Sequence, residues 1–505
     1  MTLLQTELLA DLAGTFPDAV AWVNLDDGSE LSLSRWHAQS NRLARGMGNR
    51  GLVPGDRVAL VISEERPFEW LISSMAIHKA GGVAVPLNVR LSGPEISRIL
   101  HHAGTTALLA SDSVLVAHPD LSAGVKITAV VGAARKTELD WSDLLDADGS
   151  DLDYRVGPED EADVMYTSGT TGAPKGVVVR HGGLSSNDRV PSTWHGLGFV
   201  TSSPFSTTSG SLLACGPMRG GMTGWFLPRF DSQRWLHIVG SRRPLAAFLV
   251  PAMVQLIVAD PGFAEADLSS LAVVNIGSAP IAMETLRRFS AKLTRADLLC
   301  GYGMTEFGAI TATPAGDRGR HAGSVGRPLP GVRVRIIDAQ GTEVPTGEVG
   351  QITMKGSRGQ RSYVDDPEAT ARTWADGWLR SGDLGYLDPD GHLWIVGRQK
   401  EMIIRGGHNI MPGEVEAALF EHPDIVDAAV SGVPHPVLGE DVAAWLVMAG
   451  DAEPPVEEIR AFLLERLADY KVPRRFTILD SLPRNESGKV LKSQLVAGEA
   501  ARRSS

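Results

Sequence analysis

A chain of 505 residues is too long for one hydrophobic core and should divide into at least two domains. Its formal net charge of −12 excludes a general nucleic-acid binder, so cationic side chains that meet anionic ligands must be concentrated locally. Two distant cysteines, Cys215 and Cys300, exclude a disulfide framework and predict a reducing, cytoplasmic setting; there is no basic leader, and no apolar run reaches the roughly twenty residues that span a bilayer.

Residues 34–47 carry Trp36, Leu43 and Met47 on one face and read as an amphipathic helix. The turn Pro54-Gly55-Asp56 leads to a buried-type strand at 58–62. A helix at 67–80 follows, stopped by Gly81-Gly82, then a strand at 83–87, a helix from Pro94 to about His102 and a strand at 106–110. This alternation predicts a parallel sheet covered by helices. His101 and His102, at a helix end with no carboxylate partner, read as surface residues. Residues 112–160 are weakly patterned and end in Pro158-Glu159-Asp160-Glu161, a solvated approach to the next segment.

That segment, 166–177, reads Tyr-Thr-Ser-Gly-Thr-Thr-Gly-Ala-Pro-Lys-Gly-Val. Glycines allow positive φ and close approach of a ligand to the backbone, whose N–H groups can form an anion-binding concavity. Thr167, Ser168, Thr170 and Thr171 add hydroxyl donors, and Lys175 adds a point charge suited to phosphate. The P-loop of nucleoside triphosphatases is excluded: no hydroxyl follows Lys175, and 177–179 are β-branched and predict a strand where that motif opens a helix.

Further on, 203–224 is rich in glycine and serine, beginning Ser203-Pro204-Phe205-Ser206-Thr207-Thr208-Ser209-Gly210. Strands at 248–251 and 273–277 precede Gly277-Ser278-Ala279-Pro280, and Gly301-Tyr302-Gly303-Met304-Thr305-Glu306 follows. Both glycine segments read as strand-end loops, where open α/β sheets hold ligands. Asp383 lies in the glycine-flanked stretch 377–385. A β-rich region with strands at 332–337, 350–355 and 392–396 closes at Gly397-Arg398-Gln399-Lys400-Glu401. A small α+β unit then has strands at 402–404, 426–430 and 443–447, helices at 414–420 and 456–468, and the turn Arg484-Asn485-Glu486-Ser487-Gly488-Lys489.

Six of these segments, in this order, resemble the motifs of the adenylate-forming superfamily: acyl-CoA synthetases, firefly-type luciferases and the adenylation domains of peptide synthetases. The likeness runs from about Gly51 to the C-terminus. It implies an α/β fold: a large N-terminal domain of βαβ-built sheets with a β-rich subdomain (1–398), and a small mobile α+β domain (399–505) hinged at Lys400. It further implies that Thr167, Ser168, Gly169, Thr170, Thr171, Gly172 and Lys175 grip the ATP phosphates. Gly277, Ser278, Ala279, Pro280, Gly301, Tyr302, Gly303 and Met304 would form the adenine side, with Tyr302 stacked on the base. Thr305 would meet the α-phosphate, Glu306 would ligate Mg²⁺, and Asp383 and Arg398 would hold the ribose. Lys489 would bridge substrate carboxylate and α-phosphate, and Gly406 and Gly407 would let the pantetheine arm of CoA pass. Phe205, Thr207, Gly210, Leu213 and Ala214 would line the acid pocket.

Thr207 (or Ser206, in a shifted register) stands where the family often has histidine. Amino-acid-activating relatives place an aspartate in this region to hold the substrate ammonium, yet no acidic residue lies between Ser203 and Gly224. An unpaired ammonium would be costly there, so an α-amino acid is not the expected substrate. The resemblance implies an acyl-CoA synthetase for a fatty, aryl or bulky alicyclic acid, giving acyl-CoA, AMP and pyrophosphate, and working as a monomer or homodimer. The alternatives are an acyl-AMP ligase that loads a carrier protein and an inactive nucleotide-binding protein; the second is disfavoured by the presence of Lys489, Asp383 and Glu306.

Overall fold

The computed structural model describes residues 3–132, 139–167, 175–184, 190–317, 319–356, 360–449, 454–484 and 488–504, with side chains up to 499. The expected βαβ succession is present. The helix Leu33–Gly48 is capped by the Ser32 hydroxyl, which accepts from Arg35 N, and buries Trp36, Leu43 and Met47. Strand Arg57–Val61 lies between Val83–Pro86 and Ala107–Ser111, parallel to both.

Residues 112–160 hold more structure than their pattern suggests. They form the helix Asp112–Ala117, a strand Ile127–Val131 that extends the same sheet, and a short turn that buries Trp141 and Leu144. The Trp141 indole donates to Ser73 Oγ at 2.9 Å, so a tertiary contact orders a stretch that lacks local periodicity. The acidic run before the glycine-rich segment is solvated, with Glu159 near Arg180 and Glu161 near Arg57.

Among the described residues there are four sheets. The seven-stranded one just described ends in the antiparallel pair Glu161–Thr167 and Lys175–Arg180. A nine-stranded sheet contains Gly198–Thr201, Ala246–Leu249, Val273–Ile276 and Asp297–Met304 as parallel neighbours in that order. The helices Leu33–Gly48 and Pro67–Lys79 lie in a core shared by the two sheets, which joins Val58 and Leu109 of one to Trp22 and Phe226 of the other. Burying each such side chain contributes about 1.5–3 kcal/mol.

The third sheet is antiparallel: Val332–Ile337, Gly350–Gly356, Trp378–Leu387 and Leu393–Arg398, with a short edge strand. The fourth belongs to the C-terminal region, where the long hairpin Ile425–His435/Gly439–Met448 packs on helices Pro412–Leu419 and Val456–Leu464. Gln399–Glu401, a single 3₁₀ turn, connects the third sheet to the fourth and belongs to neither. Among the described residues no helix is long and apolar enough to cross a membrane.

Candidate active site

The parallel register of the nine-stranded sheet decides where chemistry can occur. Leu249 pairs with Ile276, and Ile276 with Cys300, so the carboxyl ends of three strands stand side by side. The segments leaving this edge are Val250-Pro251, Gly277-Ser278 and Gly301–Glu306, joined by Ser202–Thr207 from strand Gly198–Thr201. Such an edge is where open α/β sheets bind ligands. Gly301–Met304 is not a loop, however. Strand Asp297–Met304 runs on past the sheet edge and turns antiparallel against Gly308–Ala312. A Cβ on Gly303 would lie 2.7 Å from the Gly308 carbonyl, so glycine serves close strand approach here as well as any ligand.

Ser278 has φ 76°, in the left-handed region that strains a non-glycine residue, and such strain concentrates at ligand sites. Its hydroxyl donates to Ser209 Oγ at 3.3 Å, and Ser209 is also 3.3 Å from Thr207 Oγ1. Thr207 is the N-cap of helix Thr208–Arg219, accepting from Gly210 N at 3.0 Å, while its own hydroxyl donates to the Pro204 carbonyl. At the same helix start, Thr208 Oγ1 lies 2.9 Å from Thr305 Oγ1.

Two residues expected at the pocket are buried in the core cluster. Phe205 is buried among Trp22, Trp70 and Phe226, stacked on the last at 4.6 Å between ring centroids. Ala214 is buried in the same cluster, and its carbonyl accepts from the Trp22 indole. Gly210 is required by space, since a Cβ would lie 1.8 Å from the Pro204 carbonyl oxygen. Leu213 is only half-buried.

The antiparallel strands Glu161–Thr167 and Lys175–Arg180 pair Thr167 with Lys175. Ser168, Gly169, Thr170, Thr171 and Gly172 lie outside the described residues. Ser362–Val364 adds to the outer strand: Val178 N donates to Ser362 O and Val364 N to Gly176 O. This brings in residues that the sequence reading missed. The Tyr363 hydroxyl donates to Glu306 Oε1 at 2.9 Å, and Lys175 Nζ lies 4.9 Å above the Tyr363 ring and 3.8 Å from Asp366 Oδ2. Arg361 Nη1 donates to the Thr305 carbonyl at 2.6 Å. Burial and the Glu306 charge push the Tyr363 phenol well above its ordinary range, so it stays a donor. The only local hint in the sequence is the cap Asp366-Pro367, which starts the helix Pro367–Thr373 just after Tyr363.

On the opposite flank, Asp383 is buried on strand Trp378–Leu387, opposite Arg398 on its neighbour. Arg398 Nε lies 3.0 Å from Asp383 Oδ1, and the Tyr302 hydroxyl donates to Oδ2 at 2.5 Å. Burial, then the Asp383 charge, raises the Tyr302 phenol far above its ordinary range. A bond from a neutral donor to a buried carboxylate contributes about 1.5–3 kcal/mol. Tyr302→Phe should therefore lower the unfolding free energy by an amount in that range, read in urea unfolding as a lower midpoint at an unchanged m-value.

Lys489 reaches this constellation from the C-terminal region. Its ammonium is 3.8 Å from Glu401 Oε1, and a Cβ on Gly488 would touch Val250 and Ala252 at 3.4 Å. Burial, then the neighbouring Arg398 charge, lowers its pKa. Arg484 donates to the Gly488 carbonyl and pairs with Asp427 at 2.6 Å. Lys400 is exposed on the 3₁₀ turn. Gly406 and Gly407, at φ 57° and 87°, are the two-residue turn of the hairpin Ile403–Arg405/His408–Ile410. A primed turn of this kind needs positive φ at both positions, so its geometry alone calls for glycine.

The model of the AMP-binding enzyme family matches residues 9–364, and that of the AMP-binding enzyme C-terminal domain matches 414–489. The chain is 36% identical to the feruloyl-CoA synthase of an Amycolatopsis species, over 93% of this chain and 94% of the relative. It is 33% identical to the fatty acid–[acyl-carrier-protein] ligase ScoC of Streptomyces coeruleorubidus, over 93% and 92%. The solved structure of the amide bond synthetase McbA from Marinactinospora thermotolerans superposes with a TM-score of 0.85 at 30% identity, covering 98% of this chain and 99% of that one. The chain belongs to the AMP-binding enzyme family and is an AMP-forming acid–thiol ligase.

Proposed function

We propose that the enzyme activates an aryl, alicyclic or fatty acid with ATP and transfers the acyl group to CoA in the cytoplasm. The observation that carries the residue assignment is the ammonium of Lys489 3.8 Å from Glu401, in the turn that follows Arg398, while Gly488 lies against Val250 and Ala252. That position suits adenylation. Asp383 and Arg398 hold the ribose, and the Tyr302 ring lies beside them against the adenine. The substrate carboxylate attacks the α-phosphorus, and Lys489 stabilises the charge that builds on the pentacovalent oxygens. Lys175, with the hydroxyls and N–H groups of 167–172, binds the departing pyrophosphate.

Glu306, whose Oε1 is engaged by Tyr363, offers a hard oxygen donor suited to Mg²⁺, and the Thr305 hydroxyl would meet the α-phosphate. A bound Mg²⁺ would supply charge neutralisation on the phosphate oxygens. Arg361 and Tyr363 position these two side chains relative to Lys175. The unit 399–505 then rotates about Lys400, withdrawing Lys489 and bringing the hairpin of Gly406 and Gly407 to the acyl-adenylate. Thiolate attack on the acyl carbon expels AMP.

A carrier protein in place of CoA is the second reading, favoured by the likeness to ScoC. A panel of aryl, alicyclic and fatty acids assayed for CoA-dependent AMP formation separates the two. AMP release with CoA supports the first reading; release only with a phosphopantetheinyl carrier supports the second. Because 203–224 contains no acidic residue, standard amino acids should give no pyrophosphate exchange above the acid-free rate. Robust amino-acid-dependent exchange would overturn the pocket assignment.

A further inference from the structure

Lys489 belongs to a row of charged groups. Glu401, the last residue of the 3₁₀ turn Gln399–Glu401, sets its carboxylate between two ammonium groups. Its Oε1 is 3.8 Å from Lys489 Nζ, and its Oε2 is 3.8 Å from Lys492 Nζ. Lys492 opens the helix Lys492–Ser504 and also pairs at 2.8 Å with Glu416 Oε1, on helix Pro412–Leu419. The same Glu416 oxygen accepts from Val430 N, on strand Ile425–His435, at 2.8 Å. Charges of opposite sign therefore alternate from the body of the C-terminal unit out to Lys489.

The side chains of Glu401 and Lys492 are 28% and 23% exposed, so solvent screens this row less than it screens a surface pair. Charges of both signs face Lys489 among the described residues. Burial, then Arg398 at the end of strand Leu393–Arg398, then Lys400 on the 3₁₀ turn, favour loss of its proton. Glu401, and more weakly Asp383 on strand Trp378–Leu387, favour its retention. Of the two carboxylates, Glu401 is the stronger, and it lies in the same unit as Lys489. A lysine that is to neutralise developing negative charge must carry its proton.

We propose that Glu401 is a positioning residue for adenylation: with its other oxygen held by Lys492, its carboxylate fixes the ammonium of Lys489 where it meets the α-phosphate. This rests on the reading of Lys489 as the adenylating lysine. Glu401 touches neither acid nor nucleotide in this role and acts only through Lys489. It does two things there. It limits the places a long, flexible side chain can occupy, and it offsets the charges of Arg398 and Lys400, which repel a third cation.

The test uses the full-length enzyme and acid-dependent pyrophosphate exchange, followed from about pH 7 to about pH 10. Only the ammonium form of Lys489 serves, so exchange falls as pH rises through its pKa. Glu401→Gln keeps the shape and removes the charge. It should slow exchange roughly 3- to 10-fold near neutral pH and move the alkaline limb downward by about half a pH unit. Lys492→Met removes a cation and should move that limb upward. Glu401→Asp should recover part of the rate. A second readout needs no catalysis. In nucleotide-free enzyme, labelling of Lys489 by an amine reagent, mapped by peptide mass, should reach its half-maximum at lower pH in Glu401→Gln, since only the free amine reacts. Thioester formation from a supplied acyl-adenylate should change far less than exchange. Unmoved pH profiles of exchange and labelling in Glu401→Gln, or equal loss in both half-reactions, would overturn the role of Glu401. Exchange that survives Lys489→Ala would instead overturn the assignment of Lys489 itself.

Discussion

Lys489→Ala should lower the rate of adenylation by about 10²–10³-fold, the usual cost of removing one donor aimed at charge that develops in a transition state. Thioester formation from a supplied acyl-adenylate should remain nearly intact. The reason is geometric. Lys489 stands beside Glu401 with Gly488 against Val250 and Ala252, and on the proposed mechanism it meets the α-phosphate only in this orientation of the C-terminal unit. On the proposed rotation, the thiol step then uses a different face of that unit. Rapid-quench measurement of each half-reaction separates the two; equal loss in both would sink the assignment of domain rotation.

Lys400→Pro should have the opposite signature. Adenylation should stay within roughly tenfold of wild type, while thioester formation falls by 100-fold or more, because a blocked hinge removes one state from the population and leaves binding chemistry alone. Lys400 lies on the 3₁₀ turn Gln399–Glu401, the link between the third and fourth sheets. A 3₁₀ backbone has φ near the −65° that proline imposes, so the substitution favours the orientation already present, and rotation must be absorbed in a few such dihedrals. Single-turnover assays of both steps on one preparation decide it. Normal thioesterification would mean that Lys400 is not the pivot and that the boundary at 398/399 is misplaced.

Much of the fold was legible because its signals are local. The strand–helix alternation through 58–110 and the short apolar strands of the nine-stranded sheet appear where the runs of Val, Ile and Leu put them. The family, too, was legible, from ordered motifs. What escaped the sequence depends on contacts between distant residues. Tyr363 meets Glu306 across 57 positions, and no pattern around either announces the other. Nothing in the sequence around Phe205 announces its packing among Trp22, Trp70 and Phe226. The turn at 406–407 was read by what glycine lacks, a side chain, when the hairpin also uses what glycine allows, positive φ. His321 and His392 are 71 positions apart in the numbering (392 − 321) and meet only through the fold.

The account rests on one sequence of events: an acyl-adenylate forms without thiol, with Lys489 facing the nucleotide, and is then consumed by thiol. Acid-dependent exchange of labelled pyrophosphate into ATP, measured without any thiol and followed by addition of CoA, tests this most directly. The expected result is exchange that requires an aryl, alicyclic or fatty acid, nearly vanishes in Lys489→Ala, and gives way to release of AMP with thioester when CoA is added. Exchange that no acid supports, or that persists at the wild-type rate in Lys489→Ala, would contradict it.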